Sequence, residues 1–99
     1  MIRGTTPKLK FNVPFDTDTV SELSIAFSQR GRLVMEKVKE DVESVSGGYL
    51  LSLTQADTLQ FEDGANVEIQ IRAKFADDSA IASQIVNTTV GRILRDGEI

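Results

Sequence analysis

From Val67 to Phe75 every second residue is apolar: Val67, Ile69, Ile71, Ala73 and Phe75 alternate with Glu68, Gln70, Arg72 and Lys74. A period of two sends the apolar set to one face of an extended chain and the polar set to the other. The segment is therefore read as a strand with one buried face, the mark of an antiparallel sheet. Looser alternation runs through Leu9, Phe11, Val13 and Phe15, with Pro14 as a strand breaker, and through Leu23, Ile25 and Phe27. Composition leans the same way. Val, Ile and Thr number 25 of the 99 residues against 15 for Leu and Ala, and β-branched side chains fit a pleated surface better than a helix.

Turn-forming residues fall between these runs at the spacing of a chain of short strands. Asp16-Thr17-Asp18 follows the first run and Arg30-Gly31-Arg32 joins the second to Leu33–Lys39. Ser46-Gly47-Gly48 precedes Tyr49–Thr54, and Glu62-Asp63-Gly64 precedes Val67. Asp77-Asp78-Ser79 is read as a hairpin tip leading into a last strand from about Ala82 to Leu94. Lys37–Val45 fits both a helix, with Val38, Val42 and Val45 at helical spacing, and a bent pair of short edge strands, and is read as strand. Thr54-Gln55-Ala56-Asp57 forms a capping box, the Thr hydroxyl accepting from the amide three residues on while Asp57 reaches back. It predicts one helical turn over Gln55–Leu59 that crosses between sheets, with Leu59 and Phe61 closing the end of the core.

About seven short strands, one such crossover and 99 residues predict an all-β fold, an immunoglobulin-like antiparallel β-sandwich with a short helical turn near residues 55–59. The expected organisation is an extended N-terminal arm over residues 1–7, a single β-sandwich domain over 8–95 and a C-terminal tail over 96–99. With no Cys or Trp, the core must rest on aliphatic residues and phenylalanines.

The absence of His and Cys excludes a thiol nucleophile, a Ser-His-Asp triad, a Cys/His zinc site and any disulfide framework. What remains for acid–base work is four carboxylate pairs: Asp16/Asp18, Glu40/Asp41, Glu62/Asp63 and Asp77/Asp78. Each sits at an expected turn, where Asp bonds its own backbone, and none has the spacing of a calcium loop. No catalytic, cofactor-binding or metal residue is assigned, and the chain is read as a non-enzyme. Net charge is −4, and Glu40–Ile71 holds seven acids with no Lys or Arg. That distribution argues against a nucleic-acid partner, which needs clustered basic side chains. No apolar run has the length of a signal peptide or a membrane span, so no membrane partner is expected and synthesis in a cytoplasm is.

Candidate interaction residues come from three places. At the termini, Ile2, Arg3, Ile93 and Ile99 set large apolar groups beside charge, so the tails either pack back on the domain or dock on another chain. Arg30 and Arg32 flank a hairpin tip. Glu40, Asp41 and Glu43 open the acidic stretch and suit a basic partner.

The opening MIRGTTPKLKFNVPFDTDTV, the middle SLTQADTLQF, the strand VEIQIRAKF and the close VGRILRDGEI resemble a family of small proteins encoded by phages and prophages of Gram-positive bacteria. The strand pattern is also distantly similar to the immunoglobulin-like N-terminal domain of phage baseplate upper proteins. The resemblance implies a protein made in the bacterial cytoplasm during phage production, and a virion component if it is structural. It carries no catalytic motif. The expected function is a non-enzymatic structural or assembly protein of the tail or baseplate, binding a second copy of itself or another phage structural protein by edge-strand pairing or arm exchange. Two other readings stand beside it: a prophage-encoded regulator binding a host protein through the acidic stretch, and a carbohydrate-binding module, which the single Tyr and missing Trp disfavour.

Overall fold

Alternating side chains need two apposed sheets to bury them. The computed structural model, which describes Met1–Ile99 throughout, supplies two antiparallel ones. In chain order the strands are β1 (Lys8–Asn12), β2 (Val20–Gln29), β3 (Arg32–Val38), β4 (Val42–Val45) and β5 (Gly48–Ser52), then α1 (Gln55–Leu59), β6 (Val67–Phe75), β7 (Ala80–Ala82) and β8 (Val86–Thr88). The small sheet runs β1-β5-β4; the large one runs β3-β2-β6, with β7 and β8 both pairing to β6 along its far side. The fold is an antiparallel β-sandwich. Its strand order places β2 between β3 and β6, while β1 joins β5.

The strict alternation of β6 is realised in full. Val67, Ile69 and Ala73 face the core, and β2 supplies Val20, Leu23, Ile25 and Phe27 opposite them. From the small sheet come Tyr49, Leu51 and Leu53. Burial of such side chains contributes about 1.5–3 kcal/mol each. Phe61 lies beneath the sandwich with its ring centroid 5.9 Å from that of Phe27, closing the core end as expected, with Leu59 half-buried beside it.

The capping box forms as read: Thr54 Oγ1 accepts the Asp57 N–H at 3.0 Å and Asp57 Oδ2 accepts the Thr54 N–H at 2.9 Å. The other Asp57 oxygen takes Lys37 Nζ at 3.1 Å, tying β3 of the large sheet to the crossover. Burial opposes ionisation of this carboxyl, but the Thr54 amide and the Lys37 ammonium outweigh it and hold its pKa below the ordinary carboxylate value.

Lys37–Val45 resolves as two strands: β3 ends at Val38, a single 3-10 turn covers Lys39–Asp41, and β4 begins at Val42 in the other sheet. The valines at helical spacing serve different sheets. Two expected strands are shorter in the structure. β1 ends at Asn12, because its partner β5 begins at Gly48 and beyond that pair Val13 N–H meets the turn residue Gly47 at 3.1 Å. The last strand is not continuous from Ala82 to Leu94. It is two three-residue pieces, β7 and β8, separated at Ser83–Ile85. The register slips by one residue between them, from Arg72↔Ala82 to Ile69↔Val86, and the Ser83 hydroxyl accepts the Ile71 N–H at 3.1 Å across the break.

Residues 1–7 are not a free arm. Ile2 and Gly91 form a parallel bridge, the Gly91 N–H donates to Met1 O at 2.7 Å, and the Met1 ammonium donates to Thr89 O at 2.9 Å. Leu53 N–H reaches Pro7 O at 3.0 Å, and the buried Thr58 hydroxyl reaches Thr5 O at 2.8 Å. The tail boundary is likewise crossed, since Asp96 pairs with Arg3 at 2.9 Å.

Candidate interaction edge

The residues read as candidates divide sharply once placed. Arg3 turns inward. Its Nε donates to Phe61 O at 2.7 Å, Nη2 to Leu59 O at 3.1 Å and Nη1 to Asp96 Oδ1 at 2.9 Å. A planar guanidinium thus satisfies carbonyls left over at the end of α1. The Arg3 charge also holds the Asp96 carboxyl below its ordinary pKa. Ile93 folds over Gly4, where a Cβ would meet its Cδ1 at 3.1 Å. Ile2 stays half-exposed beside its bridge, and Ile99 is tethered only by its backbone, exchanging hydrogen bonds with the Gln55 amide at 2.8 and 3.3 Å while its side chain is free.

Arg30 and Arg32 bracket the β2–β3 turn. Arg30 pairs with Glu62 at 3.1 Å in the open, and Arg32 is exposed without a partner. Arg30 and Gly31 sit at φ of 52° and 75°, the two left-handed residues of a tight hairpin turn. Glu40, Asp41 and Glu43 lie along the corner from β3 to β4. Asp41 is used locally, its Oδ2 accepting the Val38 N–H at 2.9 Å, while Glu40 and Glu43 make no ion pair. The other acids of the stretch are dispersed, Asp57 to the cap and Glu62 to Arg30. The carboxylate pairs at turns act as turn formers. Asp16 accepts the Asp18 N–H at 3.0 Å, and Asp77 binds the amide and hydroxyl of Ser79, which lowers its pKa. No three acidic side chains converge as a cation site would require.

Sequence reading missed the two buried polar residues, Gln29 and Thr58. Gln29, at the end of β2, donates to Glu62 O and Ala65 O at 2.8 and 3.1 Å and accepts the Glu62 N–H at 2.9 Å, fixing the loop that leads into β6. Only its place in the apolar phase of β2 could have signalled it. Tyr49 is fully buried and its hydroxyl has no partner; burial pushes its pKa up. The five Phe rings are buried or half-buried, so the surface offers no exposed aromatic platform.

What the sequence reading did not single out is the β7–β8 edge. Ile81 pairs with the buried Ala73 and Val86 with Ile69, so both side chains point to the inner side of the large sheet. The three-stranded small sheet does not reach far enough to cover them. Ile81, Ile85 and Val86 are 45%, 52% and 61% exposed. Between this edge and the segment Asn12–Phe15 lies a cleft of about 130 Å³, lined by Val13, Pro14, Phe15, Ile71 and Ile81. From Ser79 to Gly91, thirteen residues, there is no charged side chain. The other three free edges are charged: β1 carries Lys8 and Lys10, β3 carries Arg32, Glu36 and Lys37, and β4 carries Glu43. Charge on an edge strand is the common defence against pairing with another chain; the β7–β8 edge lacks it. No helix is long and apolar enough to cross a membrane.

Comparison of the chain with family models, with curated proteins and with solved structures finds no match.

Proposed function

We propose that this protein is a non-enzymatic assembly component of a phage particle, of the tail or baseplate, that works by binding another protein chain. The observation that carries this reading is the open β7–β8 side of the sandwich, a run of exposed aliphatic side chains on an uncharged edge strand. Contiguous apolar surface of this kind marks interaction sites, and an unpaired edge offers backbone donors and acceptors to a partner strand. Arm exchange has less support, because residues 1–7 are bonded to their own chain. The test is to induce a lysogen that encodes the protein and probe purified virions and tail intermediates with an antibody. Co-sedimentation is expected; absence from every particle fraction refutes the reading.

A second reading, a regulator that binds a basic host protein, draws on the unpaired Glu40 and Glu43 at the β3–β4 corner. It expects one basic host protein in a pull-down, lost on reversing the charge of Glu40, Asp41 and Glu43.

A further inference from the structure

The β7–β8 edge has a property that selects its partner. Phe75 N–H donates to Ser79 O at 2.9 Å and Ser83 N–H to Ile71 O at 2.8 Å, and Ile81 sits opposite Ala73 between these two bonds. The alternation of an antiparallel ladder therefore turns the backbone groups of Ser79, Ile81 and Ser83 toward β6 and those of Ala80 and Ala82 away from it. Two N–H and two C=O groups are thus left facing solvent. Around them the chain reads Ser79-Ala80-Ile81-Ala82-Ser83, the same in both directions.

We infer that this protein forms a two-fold dimer by antiparallel pairing of β7 with β7 of a second copy, centred on Ile81. This rests on the reading of the chain as an interaction module and names its first partner. In that register Ala80 of each copy exchanges both backbone bonds with the second copy's Ala82, four in all. Ile81 meets Ile81 as the non-hydrogen-bonded pair, whose Cα atoms approach to about 4.5 Å so that the side chains touch. The methyl groups of Ala80 and Ala82 raise no steric barrier on the outer face, and Ser79 stands opposite Ser83. An isologous contact sets the residue on the axis against its own copy and residue i against residue j of the partner, so an edge strand with charges of one sign would bring like charges together. β1, with Lys8 and Lys10 on its strand, is poorly suited to this, and the uncharged β7–β8 edge is suited. Three paired residues are too few alone for a stable interface of about 1,000 Å² or more. The cleft beside Phe15, which Ile81 itself lines, supplies apolar area next to the axis, and Ile85 and Val86 add exposed apolar area further along the edge. The break at Ser83–Ile85 limits the pairing to one short strand, so the edge does not template an open-ended sheet.

The experiment is analytical ultracentrifugation of the full-length chain over a wide concentration range, with hydrogen exchange on the same samples. Wild type is expected to be a dimer in which the Ala80 and Ala82 amides exchange slowly. Ala82→Pro removes an N–H that the chain's own sheet does not use, at the kind of position where an edge strand tolerates proline. It deletes two of the four intermolecular bonds and is expected to raise the dissociation constant about a hundredfold or more. Ile81→Lys, which sets two ammonium groups together at the axis, is expected to give monomer. Leu33→Lys on the opposite edge is expected to leave the dimer intact. Circular dichroism establishes that each variant is folded; for any that is not, wild-type exchange at Ala80 and Ala82 decides. Monomeric wild type at every concentration overturns the inference, as does fast exchange at both amides in a dimer, or a dimer that Ala82→Pro leaves unchanged. The two proposals fail separately: a dimer missing from phage particles refutes the assembly role alone, and a monomer that sediments with them refutes the edge pairing alone.

Discussion

Replacing Asp57 with Ala tests how much of the fold hangs on the crossover between the sheets. The substitution removes the acceptor of the Thr54 N–H, half of a capping box, at a cost of about 1 kcal/mol. It also deprives Lys37 Nζ of its partner. The two side chains are 20% and 13% exposed, which puts the pair at the upper end of the range for accessible ion pairs, about 1 kcal/mol. The sum, about 2 kcal/mol, corresponds to a fall in melting temperature of roughly 8–16 °C for a domain of this size. The loss depends on pH. Folding lowers the Asp57 pKa, so the folded chain holds fewer protons than the unfolded chain near and below pH 4. The carboxylate's contribution is therefore complete above the unfolded value and disappears as pH falls through the folded one. Urea unfolding of wild type and Asp57→Ala should show the full difference at pH 7 and a smaller one at pH 2.5, below the ordinary carboxylate range. A difference that is equal at both pH values, or below about 0.5 kcal/mol at neutral pH, refutes the assignment of charge to this site.

Three other substitutions probe separate devices. Tyr49→Phe removes a buried hydroxyl that has no partner and should raise stability by about 1 kcal/mol in urea titration; a loss would mean the hydroxyl is satisfied in solution. Arg30→Asn places at φ 52° a residue that tolerates the left-handed region, gaining about 0.5 kcal/mol despite the loss of an ion pair whose side chains are both 67% exposed; a lower melting temperature contradicts this. Arg3→Met keeps the aliphatic stem but loses three donors, and should cost about 3 kcal/mol; a melting temperature unchanged from wild type would show that the arm is not anchored by its guanidinium.

Legibility in the sequence followed the range of the physics. Alternation and capping are local, so β6 and α1 occupy the residues read for them, Val67–Phe75 and Gln55–Leu59. The break between β7 and β8 was hidden because it depends on the Ser83 hydroxyl substituting for a backbone acceptor toward Ile71, a contact across the sheet that leaves no periodic trace. Arg3 was visible as a charge near an apolar terminus, but its direction was not: the carbonyls it binds are 56 and 58 residues away. The open edge was the least legible of all. Ile81 and Val86 read as ordinary inward-facing strand residues, and only the narrower width of the small sheet exposes them.

The clasp between the two ends also sets an order of events during synthesis. Arg3 leaves the ribosome early, yet its carboxylate partner Asp96 is 93 residues downstream, and the Met1 ammonium waits for Thr89, 88 residues on. Until those late residues emerge, the growing chain carries the Arg3 guanidinium with one of its acceptors not yet made, and the entropy of closing so long a loop has no return. The contacts of Arg3, Thr5 and Pro7 with Leu53, Thr58, Leu59 and Phe61 can form beforehand, and only those of Met1 and Arg3 with Thr89, Gly91 and Asp96 wait for the C-terminal segment. A chain lacking those late residues would keep the Thr5 and Pro7 anchors but lose the clasp over Met1 and Ile2, so the fit of these first residues depends on the C-terminal segment.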